Sequence, residues 1–207
     1  MSHRRGGPPR RPPRQGVRKR SFHVFVEGAR TEPRYLTYWW RLHREHVALA
    51  IDDFHGGPAQ LVERAIAFRK TELAAEQKGQ GAPVDEVWCV FDVDEHHGVA
   101  GAVATAIQGG INVAVSHPCI EVWFVWHYRD QSAHIHRHEA QRASRTLIQC
   151  EKALTIQALD GLRARCDDAR ARALAIENEH ARNQLALDSN PSSSMWKLVD
   201  AIRSSGP

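Results

Sequence analysis

The sequence lacks any apolar run of the roughly 20 residues that a membrane-spanning helix needs, and no apolar segment follows the charges at its N-terminus. We therefore expect no membrane span and no signal peptide, and we predict a cytoplasmic location. Cysteine is also scarce. The four cysteines (Cys89, Cys119, Cys150 and Cys166) lie far apart without CxxC spacing. This argues against a zinc knuckle and predicts buried thiols in a reducing compartment.

Acidic residues are absent from the first 20 positions, which carry eight Arg or Lys residues together with proline and glycine. The rest of the chain holds 20 bases and 24 acids, so the net charge of +4 comes from this segment. A segment of this composition buries too little apolar surface to fold, and we predict a disordered tail over residues 1–20. Such a tail would attract phosphate backbones. A solvated extension without a partner, or a misassigned start codon, is the alternative.

Short apolar runs alternate with segments of helical periodicity through the first two thirds of the chain. The runs cover residues 22–26, 47–51, 87–91 and 111–115. The helical segments after the first three runs cover residues 31–46, 58–77 and 98–108. We place Thr31 at the N-cap of the first helix. This alternation is typical of an α/β fold, and we predict a mostly parallel four-stranded sheet flanked by helices over residues 21–128.

Beyond residue 128 the pattern becomes helical. Helices are predicted over residues 144–159, 161–183 and 195–204. We interpret residues 129–207 as a helical C-terminal region. It could close over the sheet edge, select substrate or form a homo-oligomer, and the sequence does not choose among these roles.

Acidic residues follow three of the four predicted strands. Glu27 directly follows the first strand, Asp92 and Asp94 follow the third, and Glu121 comes shortly after the fourth. Ligands bind beyond the carboxyl ends of parallel strands, where the following loops converge. Neighbouring carboxylates raise one another's pKa, and a hard divalent cation such as magnesium or manganese relieves that repulsion. The alternative is that each acid caps the helix that follows it.

Three blocks of the sequence resemble those of the RloB-like protein family: VEGARTEPRYL at 26–36, FDVDEHH at 91–97 and SHPCIEVWFVWHY at 116–128. That family is similar to the Toprim fold of topoisomerases, primases and OLD-type nucleases, so the resemblance implies a Toprim or Rossmann-like domain. In Toprim proteins a glutamate after the first strand acts in acid/base chemistry, and a DxD motif holds magnesium. The resemblance assigns these roles to Glu27 and to Asp92 and Asp94. The common pattern is DxDxxG, whereas Gly98 comes one residue later here.

The resemblance also implies a magnesium-dependent nuclease acting on nucleic acid, with transfer RNA among the candidate substrates. RloB-like proteins are associated with antiphage loci and abortive infection, so a partner protein from the same locus is expected. Two other classes stay open. One is a nucleic-acid-binding or signalling module without catalysis. The other is a different DxD enzyme, either a phosphatase in which Asp92 is the nucleophile or a metal-dependent glycosyltransferase.

Several residues beside the acidic positions are candidates for substrate contacts. They are Arg30, Ser116, His117 and His96. The alternatives are a solvated arginine for Arg30, a capping serine for Ser116 and an exposed histidine for His96. His117 either donates to a phosphate or titrates near neutrality. Glu121 is predicted to join the metal site or the catalytic chemistry, with the helix dipole as the alternative, whereas Glu32 is predicted to be a helix dipole partner only.

Overall fold

The computed structural model describes residues 18–93, 98–150, 153–186 and 189–205. The predicted tail as far as residue 17, together with Asp94 and His96, lies outside these ranges. The strands are β1 (Arg20–Val26), β2 (Val47–Ile51), β3 (Glu86–Asp92), β4 (Asn112–His117) and β5 (Ser192–Ser193). The helices are α1 (Thr31–His43), α2 (Pro58–Gln77), α3 (Val99–Gln108), α4 (Glu121–Trp126), α5 (Arg137–Ile148), α6 (Ile156–Ala164), α7 (Cys166–Arg182) and α8 (Met195–Arg203).

The strands form a single sheet in the order β2-β1-β3-β4-β5. The first four are mutually parallel, which confirms the α/β prediction, and β5 runs antiparallel to β4. The prediction of four strands missed β5. This strand is only two serines long, so it carries no apolar pattern, and its pairing of Ser116 with Ser193 comes from tertiary packing.

Helix positions were predicted more accurately in the first half of the chain than in the second. The bounds of α2 are as predicted, whereas α1 begins at Thr31 and its N-cap position is Arg30, without a side-chain cap. The N-cap prediction for Thr31 was therefore wrong. The single helix predicted over residues 144–159 was also wrong, because α5 ends at Ile148 and α6 begins at Ile156.

Side chains that alternate along the central strands supply two hydrophobic cores, one on each face of the sheet. On one face Phe25, Cys89 and Phe91 pack with apolar residues of α2 and α3. On the other face Val24 and Val90 belong to a larger core that includes residues of α1 and of α4 to α8. The C-terminal helices therefore share one core with this face of the sheet. The predicted domain boundary at residue 128 stays a prediction.

All four cysteines are buried free thiols. In the part of the chain that the structure covers, none of the helices has the length and apolarity required to cross a bilayer.

Candidate acidic site at the carboxyl edge of the sheet

Glu27 and Asp92 meet at the carboxyl edge of the two central strands. Glu27 follows the last residue of β1, and its backbone N–H donates to the Val90 carbonyl at 3.0 Å. The backbone N–H of Asp92 donates in turn to Glu27 Oε2 at 3.1 Å. Because β1 and β3 are neighbours in parallel register, the strand pairing itself brings these two acids together.

Asp92 lies in a strongly anionic environment. Burial raises its pKa well above the ordinary value, and the nearby carboxylates of Glu32, Glu121 and Glu27 raise it further. The positive charge of Arg137, at the start of α5, acts in the opposite direction. We refer to Glu27, Glu32, Asp92 and Glu121 as the acidic cluster.

Glu32 belongs to this cluster, although the sequence indicated only a helix dipole partner. Its side chain is 6% exposed, and burial raises its pKa, with Glu121 and Glu27 adding to the shift. Backbone hydrogen bonds at Glu32 and Gly28 act against that shift. The carboxylate packs directly against Gly28, where an added Cβ would lie 2.3 Å from Glu32 Oε2. The signal in the sequence was the EGxxTE spacing, which puts a glycine between the two glutamates.

Glu121 enters the cluster as the first residue of α4. Burial raises the pKa of the neighbouring Cys119 thiol, and the Glu121 carboxylate raises it further by its charge and by accepting a hydrogen bond from that thiol. Asp92 also contributes to this shift. The chain segment between β4 and α4 therefore holds Glu121 at the same edge as Glu27 and Asp92.

The other predicted contact residues occupy varied positions. Ser116 is 2% exposed, and its hydroxyl lies 2.9 Å from that of Ser193, so it links β4 to β5. His117 is half-buried at the end of β4, opposite Ser192. Arg30 is exposed beside the start of α1. Roles in substrate binding for these residues, and for His96 outside the described ranges, stay predictions. The predicted role of Asp94 as a metal ligand also stays a prediction, because Asp94 lies outside those ranges.

Two arginines of α5 border the acidic cluster, and neither was predicted to be a site residue. Arg137 lies near enough to lower the pKa of Asp92, and Arg145 lines a cavity of about 160 Å³ together with Glu121. We call this space the Glu121 cavity. Both arginines reach the site because α5 packs on α4, and no local sequence pattern predicts that contact.

The donor set suits a hard divalent cation by its chemistry. Glu27, Asp92 and Glu121 offer carboxylate oxygens, the ligands that magnesium and manganese prefer. A cation there would offset the repulsion that raises the pKa of Asp92. Among the side chains that the structure describes, no group of three or more His, Cys, Asp or Glu residues is already arranged to hold a metal ion. Asp94, the second acid of the DxD motif, is not among them.

The fold and the site define an α/β protein with a mostly parallel sheet and a carboxylate cluster at its carboxyl edge. A family model described as RloB-like protein matches residues 22–202, so the chain belongs to the RloB-like family. No curated protein matched the chain, and no solved structure did.

Proposed function

We propose that this protein is a magnesium- or manganese-dependent phosphodiesterase that cleaves nucleic acid, with transfer RNA among its candidate substrates. The observation that carries the proposal is the meeting of Glu27 and Asp92 beside Glu32 and Glu121 at the carboxyl edge of the sheet. Family membership adds the expectation of a Toprim-like arrangement, and of cytoplasmic antiphage defence or abortive infection beside a partner protein.

Three of the acids have proposed roles. Asp92 and Glu121 would hold the cation, because the charge of Glu121 is among those that raise the pKa of Asp92. Asp94, outside the described residues, would be a further ligand by the family resemblance. Glu27 would accept or deliver a proton, or bind a second ion. Its Oε2 is oriented by the N–H of Asp92. Arg137 would contribute positive charge toward the scissile phosphate. When bound, the cation would polarise that phosphate and lower the pKa of a water molecule.

The basic N-terminal segment would add affinity without sequence preference. Arg18 and Arg20 pair with Asp85 and Glu86, so these two charges are used within the fold. Residues 1–17 carry five further arginines. We propose that these contact phosphates, and deletion of residues 1–17 should weaken nucleic-acid binding and flatten its dependence on salt. An unchanged salt dependence would remove this role.

The direct test is incubation of the purified protein with plasmid, single-stranded DNA and total transfer RNA, with and without magnesium or manganese. Wild type should cleave at least one substrate only with the cation, and Asp92→Ala and Glu27→Gln should abolish cleavage. Glu76→Gln, an exposed position on α2, is the matched control and should retain activity.

The alternatives give different results in the same assay. Cation-independent binding without cleavage under any condition would favour a binding or signalling module. A trapped aspartyl-phosphate on Asp92 would favour a phosphatase.

A further inference from the structure

The Glu121 cavity lies directly beside the acidic cluster, because Glu121 belongs to both. Its other lining residues include Thr31, Phe124, Ser144, Arg145 and Leu154. Its volume of about 160 Å³ is well below the roughly 300–1,000 Å³ of typical small-molecule sites. The space therefore suits one compact group rather than a whole cofactor.

The cavity is lined mainly by polar groups, which include both donors and acceptors, with a smaller apolar part. Phe124, Ile148 and Leu154 are 1%, 8% and 6% exposed and form the apolar part. Glu121 offers hydrogen-bond acceptors and Arg145 offers donors. The hydroxyl of Ser144, a residue that is only 1% exposed, can do either.

This combination selects among the parts of a nucleic acid. A phosphate group offers only acceptors and negative charge, so Arg145 would attract it, but the Glu121 carboxylate would repel it and would receive no hydrogen bond from it. A purely apolar group would make no hydrogen bond with the polar side chains of Glu121, Ser144 and Arg145 that line the cavity, although their partial loss of water has a cost. A nucleobase has apolar faces and an edge that carries both donors and acceptors, and it therefore matches the lining.

We propose that the Glu121 cavity receives one unstacked base of the substrate, next to the phosphate that is held at the acidic cluster. This inference rests on the proposed phosphodiesterase function and specifies its substrate. A base inside a duplex is stacked and paired, so entry requires a single-stranded or flipped nucleotide. The protein should accordingly prefer single-stranded segments, such as the loops of a folded RNA, over continuous duplex.

The test measures binding of the full-length protein to a short single-stranded oligonucleotide by fluorescence anisotropy, with calcium in place of magnesium. Each oligonucleotide of a series carries one abasic site, at a different position along the strand. For wild type, one position should cost about tenfold in affinity, as expected when a hydrogen-bonded base is removed. In Arg145→Ala that penalty should fall to about twofold or less, because the intact oligonucleotide no longer gains the arginine contact.

Arg142→Ala is the matched control, since Arg142 is also exposed on α5 but does not line the cavity. It should keep the full penalty, and thermal melts should show that both variants fold. An even profile of affinities in wild type, or no binding to any oligonucleotide, would overturn the base-binding inference. Cleavage that still depends on Asp92 would leave the phosphodiesterase proposal standing. Conversely, a position-specific penalty without any cleavage would reject the phosphodiesterase and retain the base site.

Discussion

Replacing Gly28 with alanine would place a methyl group against the Glu32 carboxylate of the acidic cluster. The added Cβ would lie 2.3 Å and 2.6 Å from the two carboxylate oxygens of Glu32 and 2.7 Å from its carboxyl carbon. Ordinary contacts of a Cβ atom are 3.4–4 Å, so the carboxyl group of Glu32 must move away by about 1 Å. It is buried and flanked by the charges of Glu27 and Glu121, which restricts that movement.

We expect Gly28→Ala to lower the free energy of unfolding by about 1–3 kcal/mol, the usual cost of forcing extra atoms into a packed site. Urea denaturation would measure it, and the melting temperature should fall by roughly 2–4 °C for each kcal/mol in a protein of this size. We also expect weaker stabilisation by added magnesium, because Glu32 would be displaced within the cluster.

Gly101→Ala is the control for this variant. Gly101 lies inside α3 with no atom within 4 Å of the added Cβ, so alanine there should stabilise the protein by about 0.5–1 kcal/mol. In a Glu32→Ala background the cost of Gly28→Ala should largely disappear. If that cost is the same with and without Glu32, the contact between the added Cβ and the Glu32 carboxylate is not its cause.

Three further predictions concern charge and the shared core. Asp92→Asn should raise the melting temperature near neutral pH without divalent cations. Because the pKa of Asp92 is raised in the folded state, the wild type loses stability as the pH rises above about 3.8 and this carboxyl group deprotonates. The advantage of the variant should therefore vanish below about pH 3.8, and an advantage that persists in acid would contradict this. Leu198→Ala, at a fully buried position in α8, should lower the free energy of unfolding by about 2–5 kcal/mol within one cooperative urea transition. Leu42→Ala, at a position that is 42% exposed, should lower it much less. Two separate transitions would show that the C-terminal helices fold apart from the sheet. Burial lowers the pKa of His127 from 6.5 to about 3, so the protein should lose stability as the pH drops below about 6.5. Measured against pH, this loss should be smaller in His127→Gln. It should equal that of the wild type in the control His138→Gln, at an exposed position.

The parallel strands could be predicted because they are buried on both faces and read as continuous apolar runs. Their order in the sheet could not, because no local pattern states that β3 pairs with β1 rather than with β2. The closeness of Glu27 and Asp92 depends on that order. The two acids could be expected at one edge only because parallel strands end together.

The rest of the site depends on tertiary contacts. Glu32 was interpreted as a helix dipole partner because its place at the start of α1 explains an acid without a binding site. Its burial against Gly28 comes from the tight turn between β1 and α1. Arg137 and Arg145 are ordinary helix residues in the sequence, and only the packing of α5 on α4 brings them beside the acids.

The two serines of β5 also determine when the sheet is completed. They pair with the end of β4 from far along the chain, and the Ser116 and Ser193 hydroxyls join the two strands. During synthesis, the end of β4 at Ser116 and His117 therefore stays unpaired until nearly all of the described chain has been made. Because an unpaired strand edge can pair with other chains, this short strand protects the end of β4 only late in synthesis.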